Sequence, residues 1–281
     1  MSTTPGLSAW NVNVVTGGTP LVDSIDVEAA AGTITAVVGP NGAGKSSLLA
    51  ALARIHGTGV VQLDDEDLDG LTRRERARRV ALVEQSTEAS VDLTVRDAVA
   101  LGRTPHLGAW GGDDAPDVVS DALEAVGMSS FEHRNLATLS GGERQRVAIG
   151  MALAQEPQLL LVDEPSNHLD ISAQLAVMTL LRERADAGTT VVVALHDLTL
   201  ALEHSDHALV LSHGRRIVSG PTDRTLTASL ISEVYGVDAS ILVDPDTGRR
   251  ALSFAPSASP ARDTRIPARE AERTFREVAA V

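Results

Sequence analysis

The chain has 281 residues, of which 43% are apolar and 2% aromatic, with a formal net charge of -14 and no cysteine. That length and apolar content suffice for one large domain, or one carrying an inserted lobe, and exclude an acidic disordered chain. The missing cysteines exclude disulfides and thiol chemistry and fit a cytoplasmic protein, while the acidic balance repels nucleic-acid phosphate, so no nucleic-acid partner is expected.

The opening MSTTPGLSAW lacks the basic and apolar regions of a secretion signal. WNVNVV and LVDSIDVEAA then read as antiparallel strands around a Gly-Gly turn. Next come TITAVV, VALV, LLLVD, TTVVVAL and ALVLS, short β-branched runs each followed by a helical pattern. Strands spaced by helices predict a parallel α/β sheet, with a core of Ala, Val, Leu and Ile because aromatics are so few. The longest apolar runs are strand-sized, far short of the roughly 20 residues that cross a bilayer. Between Gln85 and Ser140 the pattern is helical, with a loop at PHLGAWGGDDAPD, which predicts a helical lobe over about residues 86–157. From Ala255 the chain turns rich in Pro, Ser and alternating charge, a tail over 256–281 with a short helix at 267–279.

Two charged runs tempt other readings. RRERARR at 73–79 has five arginines but no interleaved aromatic, and reads as a solvated helix. DDEDLD at 64–69 lacks the glycine and the final glutamate of a calcium loop, and reads as a polar turn.

GPNGAGKS, residues 39–46, follows one strand and opens a helix, matching G-x-x-x-x-G-K-[ST] in the context that motif requires. Gly39, Gly42 and Gly44 let the backbone turn its N–H groups toward phosphate oxygens, and the helix N-terminus adds its dipole. Lys45 would bridge the β- and γ-phosphates and the Ser46 hydroxyl would ligate Mg²⁺. Lys45 is the only lysine in the chain. A compact ammonium fits a narrow phosphate loop better than a planar guanidinium does. It also excludes a GTPase, whose guanine-reading N-K-x-D element needs another lysine. LSGGE at 139–143 places a second phosphate-friendly turn, Ser140, Gly141 and Gly142, at another helix N-terminus. Two such turns in one chain make sense when the second closes on nucleotide held by another copy. LLLVDEP at 159–165 ends a buried strand on Asp163, which can hold Mg²⁺ through water, and Glu164, which can orient or deprotonate an attacking water. VVVALHDL ends another strand on His196, to which the same logic gives a catalytic role, and Gln85, after VALV, can reach the metal or the lytic water.

This constellation resembles the nucleotide-binding subunits of ABC transporters over roughly residues 7–255. The resemblance identifies GPNGAGKS as Walker A, LLLVDEP as Walker B, Gln85 as the Q-loop residue, LSGGE as the signature, SNHLD at 166–170 as the D-loop and His196 as the switch histidine. It implies an α/β P-loop NTPase with a mainly parallel core sheet, an N-terminal antiparallel β-subdomain and an inserted helical subdomain. It implies further that two copies sandwich two ATP molecules head to tail. ATP would contact Gly39, Pro40, Asn41, Gly42, Ala43, Gly44, Lys45, Ser46 and Ser47 of one copy, with Ser140, Gly141, Gly142 and Asp170 completing the composite sites. Mg²⁺ would lie at Ser46, Gln85 and Asp163. The chain departs from the family at the adenine contact: Val14, Val15 and Thr16 stand where relatives often carry a stacking aromatic, a contact worth about 1–3 kcal/mol.

No membrane span, no repeat and only a short insertion separate this chain from fused exporters, ribosome-acting and DNA-repair relatives. A separate ATPase subunit that docks on a polytopic membrane permease at the cytoplasmic face remains, served indirectly by a substrate-binding protein. LTVRDAVALGRTPHLGAW at 93–110 and LISEVYGVDASILVDPDTGRR at 230–250 resemble the importers of iron(III)–siderophore complexes, haem and cobalamin. The alternatives are the ATPase of another importer, that of an exporter with separate membrane subunits, or a soluble regulatory ABC ATPase.

Overall fold

The computed structural model describes residues 6–84, 92–108, 117–166 and 169–257. Gln85, Trp110, Asn167, His168 and the proposed tail helix lie outside them. The chain divides into two units, Met1–Thr225 and Leu226–Val281.

In the first unit, β1 (Gly6–Thr16) and β2 (Thr19–Ala30) form the expected hairpin. Its turn residues Gly17 and Gly18 both have positive φ, the geometry that two-residue hairpins demand. β4 (Thr58–Leu63) and β5 (Glu66–Asp67) extend it to a four-stranded antiparallel sheet in the order β2-β1-β4-β5. Asp64 and Asp65 turn between β4 and β5 with positive φ. Glu66 pairs with Arg79 and Asp69 with Arg54, so the expected polar turn is confined to the start of DDEDLD, the rest being β5 and a short 3-10 turn that buries Leu68.

The second sheet has six strands in the order β10-β9-β3-β8-β7-β6. Five are parallel: β3 (Ile34–Val38), β6 (Val80–Val83), β7 (Leu159–Asp163), β8 (Thr190–Ala194) and β9 (His207–Ser212); β10 (Arg215–Pro221) runs antiparallel at the edge. Every residue of β3, β7 and β8 is buried, as strands covered on both faces require. Helix α1 (Lys45–Leu52) buries Leu48, Leu49 and Leu52 in a cluster shared by both sheets. The buried apolar residues are all Ala, Val, Leu, Ile or Met.

α2 (Arg73–Arg79) is the arginine-rich helix, with no buried residue and a Thr72/Glu75 capping box. Between β6 and β7 lie α3 (Val95–Ala100), α4 (Val118–Ala125) and α5 (Gly141–Ala154), packed on one another as a helical lobe. α6 (Ile171–Asp186), α7 (Leu198–His204) and α8 (Thr222–Thr225) complete the unit. The second unit consists of α9 (Ala228–Tyr235) and a hairpin of β11 (Val237–Val243) and β12 (Arg250–Pro256), with Asp244 receiving two backbone N–H groups in its turn.

The end of the sheet remote from the motifs is tied by one carboxylate. Asp206 Oδ2 accepts from the Ile34 N–H at 2.7 Å and from Arg182 Nη1 at 2.7 Å, while Arg182 Nη2 donates to the Gly32 carbonyl at 2.9 Å. The start of β3, the body of α6 and the turn before β9 are thereby joined. Asp206→Ala leaves the N–H of the fully buried Ile34 without its acceptor and should cost about 1–3 kcal/mol. Asp206→Asn retains an acceptor oxygen and should cost less. Urea unfolding of the two variants checks the order.

Candidate functional site

Parallel strands place their carboxyl ends side by side, and here those ends carry the motifs. β3 leads into residues 39–44, β8 into His196, β7 ends in Asp163 and leads into Glu164, and β6 leads into Glu84; β3, β8, β7 and β6 are successive neighbours. The sheet order therefore gathers residues that lie more than a hundred positions apart in sequence.

The loop after β3 is braced on two sides. Gly44 adopts φ 98, and a Cβ there would stand 2.4 Å from the Leu21 carbonyl oxygen of β2; a Cβ on Gly39 would stand 2.3 Å from that of Leu211 in β9. Only glycine passes at such separations, so the hairpin and β9 mould the loop. Within it, the Ala43 N–H donates to Pro40 O at 3.1 Å, and the Gly214 N–H to Ala43 O at 3.1 Å. α1 begins immediately, with no side chain capping its N-terminus and no acidic residue in its first turn. Its first N–H groups are open to an anion, with the helix dipole behind them.

Lys45 is 5% exposed. Its Nζ donates to the Gly39 carbonyl at 3.1 Å and lies 3.7 Å from Glu164 Oε1. Glu164 sits at φ 47, a left-handed conformation, and its N–H donates to Ala194 O at 3.1 Å. Such a backbone costs about 1–3 kcal/mol outside glycine and persists where surroundings impose it. Asp163, buried beside Ala194 of β8, is hydrogen-bonded to the Ser46 side chain, and its Oδ1 has no hydrogen-bond partner. Burial pushes its carboxyl above the usual range; the Ser46 hydrogen bond opposes this, Glu164 adds to it, Lys45 opposes it and Glu84 adds to it. His196 is exposed, one residue beyond Leu195, whose N–H is fixed on Val37 O of β3 at 3.0 Å.

Ser140, Gly141 and Gly142 open α5 as expected. Ser140 Oγ accepts from the Glu143 N–H at 3.3 Å and Glu143 Oε2 from the Ser140 N–H at 2.7 Å, a reciprocal capping box. Glu143 is held below the usual carboxyl range by its backbone bond to Ser140 and then by the Ser140 side chain. A Cβ on Gly142 would meet Leu169 Cδ2 at 2.8 Å, so this turn abuts the segment leading to α6. Asp170 caps α6, accepting from the Ala173 N–H at 2.8 Å.

Lys45, Ser46, Asp163 and Glu164 thus form one contacting group, with His196 on the neighbouring strand end, while Ser140–Gly142 and Asp170 belong to a second set. Gln85 lies outside the described residues. Glu84, close enough to act on Asp163, is a third carboxylate that the motifs did not single out; its only sequence signal is its place at the end of VALV.

The profile of the ABC transporter family matches residues 22–167. The hemin import ATP-binding protein HmuV of Rhodococcus jostii is 40% identical over 245 residues, 86% of this chain and 84% of that protein. The ferric enterobactin transport ATP-binding protein FepC of Escherichia coli is 38% identical over 234 residues, 81% of this chain and 86% of that one. Among solved structures, a metal-chelate type ABC transporter in an inward-facing conformation superposes with a TM-score of 0.76 at 24% identity, covering 90% of this chain and 98% of that one. A dimeric ATP-binding cassette bound to ADP and phosphate superposes with a TM-score of 0.69 at 26% identity, covering 77% and 98%. With the phosphate loop, the paired carboxylates and the inserted lobe in the family's arrangement, the chain belongs to the ATP-binding subunits of ABC transporters.

Proposed function

We propose that the chain is the ATP-hydrolysing subunit of an importer for haem or iron–siderophore complexes. The observation that carries the ATPase reading is the group Lys45, Ser46, Asp163 and Glu164 beside the uncapped N-terminus of α1. The cargo class rests on the relatives named for hemin and ferric enterobactin import. In this reading residues 1–255 form the ATPase domain, the lobe spans about 86–157, and 256–281 are an appended tail.

Lys45 is placed to exchange Glu164 for phosphate oxygens of ATP, with residues 39–47 supplying backbone N–H groups. Freed from Lys45, Glu164 orients and deprotonates the attacking water, and His196 stands at the adjacent strand end to hold the γ-phosphate side. A divalent cation fits the residues present: the Ser46 hydroxyl and the unpartnered Asp163 Oδ1 are hard oxygen donors, and Mg²⁺ takes few protein ligands beside phosphate and water. When bound it would neutralise charge developing on the phosphates; Ser46, Asp163 and Gln85 would hold it. A second copy would contribute Ser140–Gly142 and Asp170 across the nucleotide. Among the described residues no helix is long and apolar enough to cross a membrane, and we place the chain peripherally at the cytoplasmic face, docked on a permease that receives cargo from a binding protein.

Three outcomes test the site. Glu164→Gln should retain ATP binding and cut hydrolysis by about 10²–10⁴, the weight of a general base; steady-state phosphate release and calorimetry read the two quantities, and near-normal turnover sinks the role. Lys45→Ala should abolish tight nucleotide binding, since it removes the one buried cation facing the phosphates; unchanged ATP affinity contradicts the cradle. Asp163 binds a proton in the folded state at pH values where the unfolded chain has lost it, so its ionisation costs stability as pH rises through that window. Asp163→Asn should therefore melt higher than the parent at neutral pH without nucleotide, yet gain no further stability from Mg²⁺ with ATP. A lower melting point would show that the carboxylate is not under that burial cost.

A further inference from the structure

Two stretches set apart in the sequence, the arginine run 73–79 and the turn Gly102–Leu107, are each other's partners. Arg74 Nε and Arg78 Nε both donate to the Pro105 carbonyl at 2.8 Å, and Arg74 Nη2 also bonds the Leu107 carbonyl. These donors stand on α2, which leads directly into β6 of the core sheet, while the acceptors belong to the helical lobe. The same turn grips the C-terminal end of α5. Arg103, 4% exposed, donates through Nη1 to Ala154 O at 2.9 Å and to Glu156 Oε2 at 2.6 Å. His106 Nε2 meets the Gln155 carbonyl at 2.9 Å. Gln155 Nε2 in turn donates to Val80 O at 2.7 Å and to Ala77 O, back on α2 and β6.

Two backbone details show that the grip is built in. A Cβ on Gly102 would lie 2.0 Å from the Met151 carbonyl oxygen, so the turn and α5 touch backbone to backbone. Glu156 ends α5 at φ 51, where glycine is usual, and Arg103 holds its carboxylate there. Orphan carbonyls at the helix end meet a guanidinium, which also suits the negative end of the helix dipole.

The far end of α5 carries Ser140–Gly142. A helix of 14 residues is about 21 Å long, so a tilt of about 10° at its C-terminal end moves the other end by about 4 Å. A hydrogen bond tolerates well under 1 Å of such error. Whatever fixes the direction of α5 at residues 154–156 therefore fixes where the Ser140 turn can meet a nucleotide. We propose that α2 and the Gly102–Leu107 turn form the joint that aims α5, and that Arg74, Arg78 and Arg103 are positioning residues for engagement of the Ser140–Gly142 turn with ATP on a second copy. This rests on the composite-site reading above.

The test uses the full chain carrying Glu164→Gln, so that ATP with Mg²⁺ holds the dimer for sedimentation. Arg74 and Arg78 are exposed, so the double variant Arg74→Gln/Arg78→Gln should still fold cooperatively, with a melting point lowered modestly by the lost hydrogen bonds. Its ADP affinity by calorimetry should match the parent, because that cradle lies in the core. The ATP concentration for half-dimerisation should rise by about 10- to 100-fold, the worth of lost charge-assisted hydrogen bonds. Arg74→Lys/Arg78→Lys should recover most of that loss, since an ammonium still donates to Pro105 O. Half-dimerisation at the parent's ATP concentration overturns the joint alone, and so does an ADP affinity that falls in step with dimerisation. A parent that never dimerises with ATP overturns the composite site, and the positioning role with it.

Discussion

Removing an ammonium from water costs several kcal/mol unless charge and hydrogen bonds replace its hydration, and Lys45 is left 5% exposed. Its surroundings follow from that constraint. The Gly39 carbonyl and the Glu164 carboxylate supply the replacement at 3.1 and 3.7 Å. The Glu164 carboxylate meets the ammonium from a residue with a left-handed backbone. Asp163, one residue earlier, has its proton affinity raised by burial first and by the Glu164 carboxylate after it. In the proposed reaction a polyphosphate would bring several oxygens to Lys45 in place of one carboxylate, and a cation held with it would bring charge to the Asp163 oxygen that has no partner.

The topology makes that meeting possible at small cost. Walker-type loops need backbone N–H groups aimed at one point, which a strand followed at once by an uncapped helix provides. Carboxylates need to reach the same point from another strand, and parallel strands with adjacent carboxyl ends deliver them. In the order β3-β8-β7-β6, every strand end from the phosphate loop to Glu84 faces the same edge. The antiparallel hairpin serves the site too, because Leu21 crowds Gly44 and keeps the loop in shape.

Much of this was legible in the residues. The runs TITAVV, VALV, LLLVD, TTVVVAL and ALVLS became β3, β6, β7, β8 and β9, since fully buried strands must be continuously apolar. The Gly-Gly turn declared its hairpin through conformations that few other residues adopt. Lys45, Ser46, Asp163 and Glu164 stand out in the sequence because phosphate and metal chemistry restricts the residue types, and the structure brings the four into contact. Glu84 does not stand out, because a lone carboxylate after a strand has no pattern until the sheet order sets it beside Asp163. The arginine run was read as solvated, and indeed no residue of α2 is buried. The acceptors of Arg74 and Arg78 are backbone carbonyls of 105 and 107, and carbonyls carry no residue identity by which a sequence could announce them.

The division between one lysine and many arginines follows the geometry each must satisfy. A guanidinium presents several donors in a fixed plane and can span acceptors on different elements. Arg182 does so between Gly32, Asp186 and Asp206, Arg103 between Ala154 and Glu156, and Arg74 between Pro105 and Leu107. Each of those arginines therefore joins pieces of chain that lie far apart in sequence. At residues 39–46 the demand of the proposed reaction is the opposite: one compact charge between Gly39 and Glu164, which would have to let go of its neighbours when an anion arrives. A planar fork would be held there by two bonds at once, whereas an ammonium rotates its three donors freely and can exchange one oxygen for another. Where the fold must be fixed the chain uses arginine, and at the one point where the proposed reaction requires a cation to change partners it uses lysine.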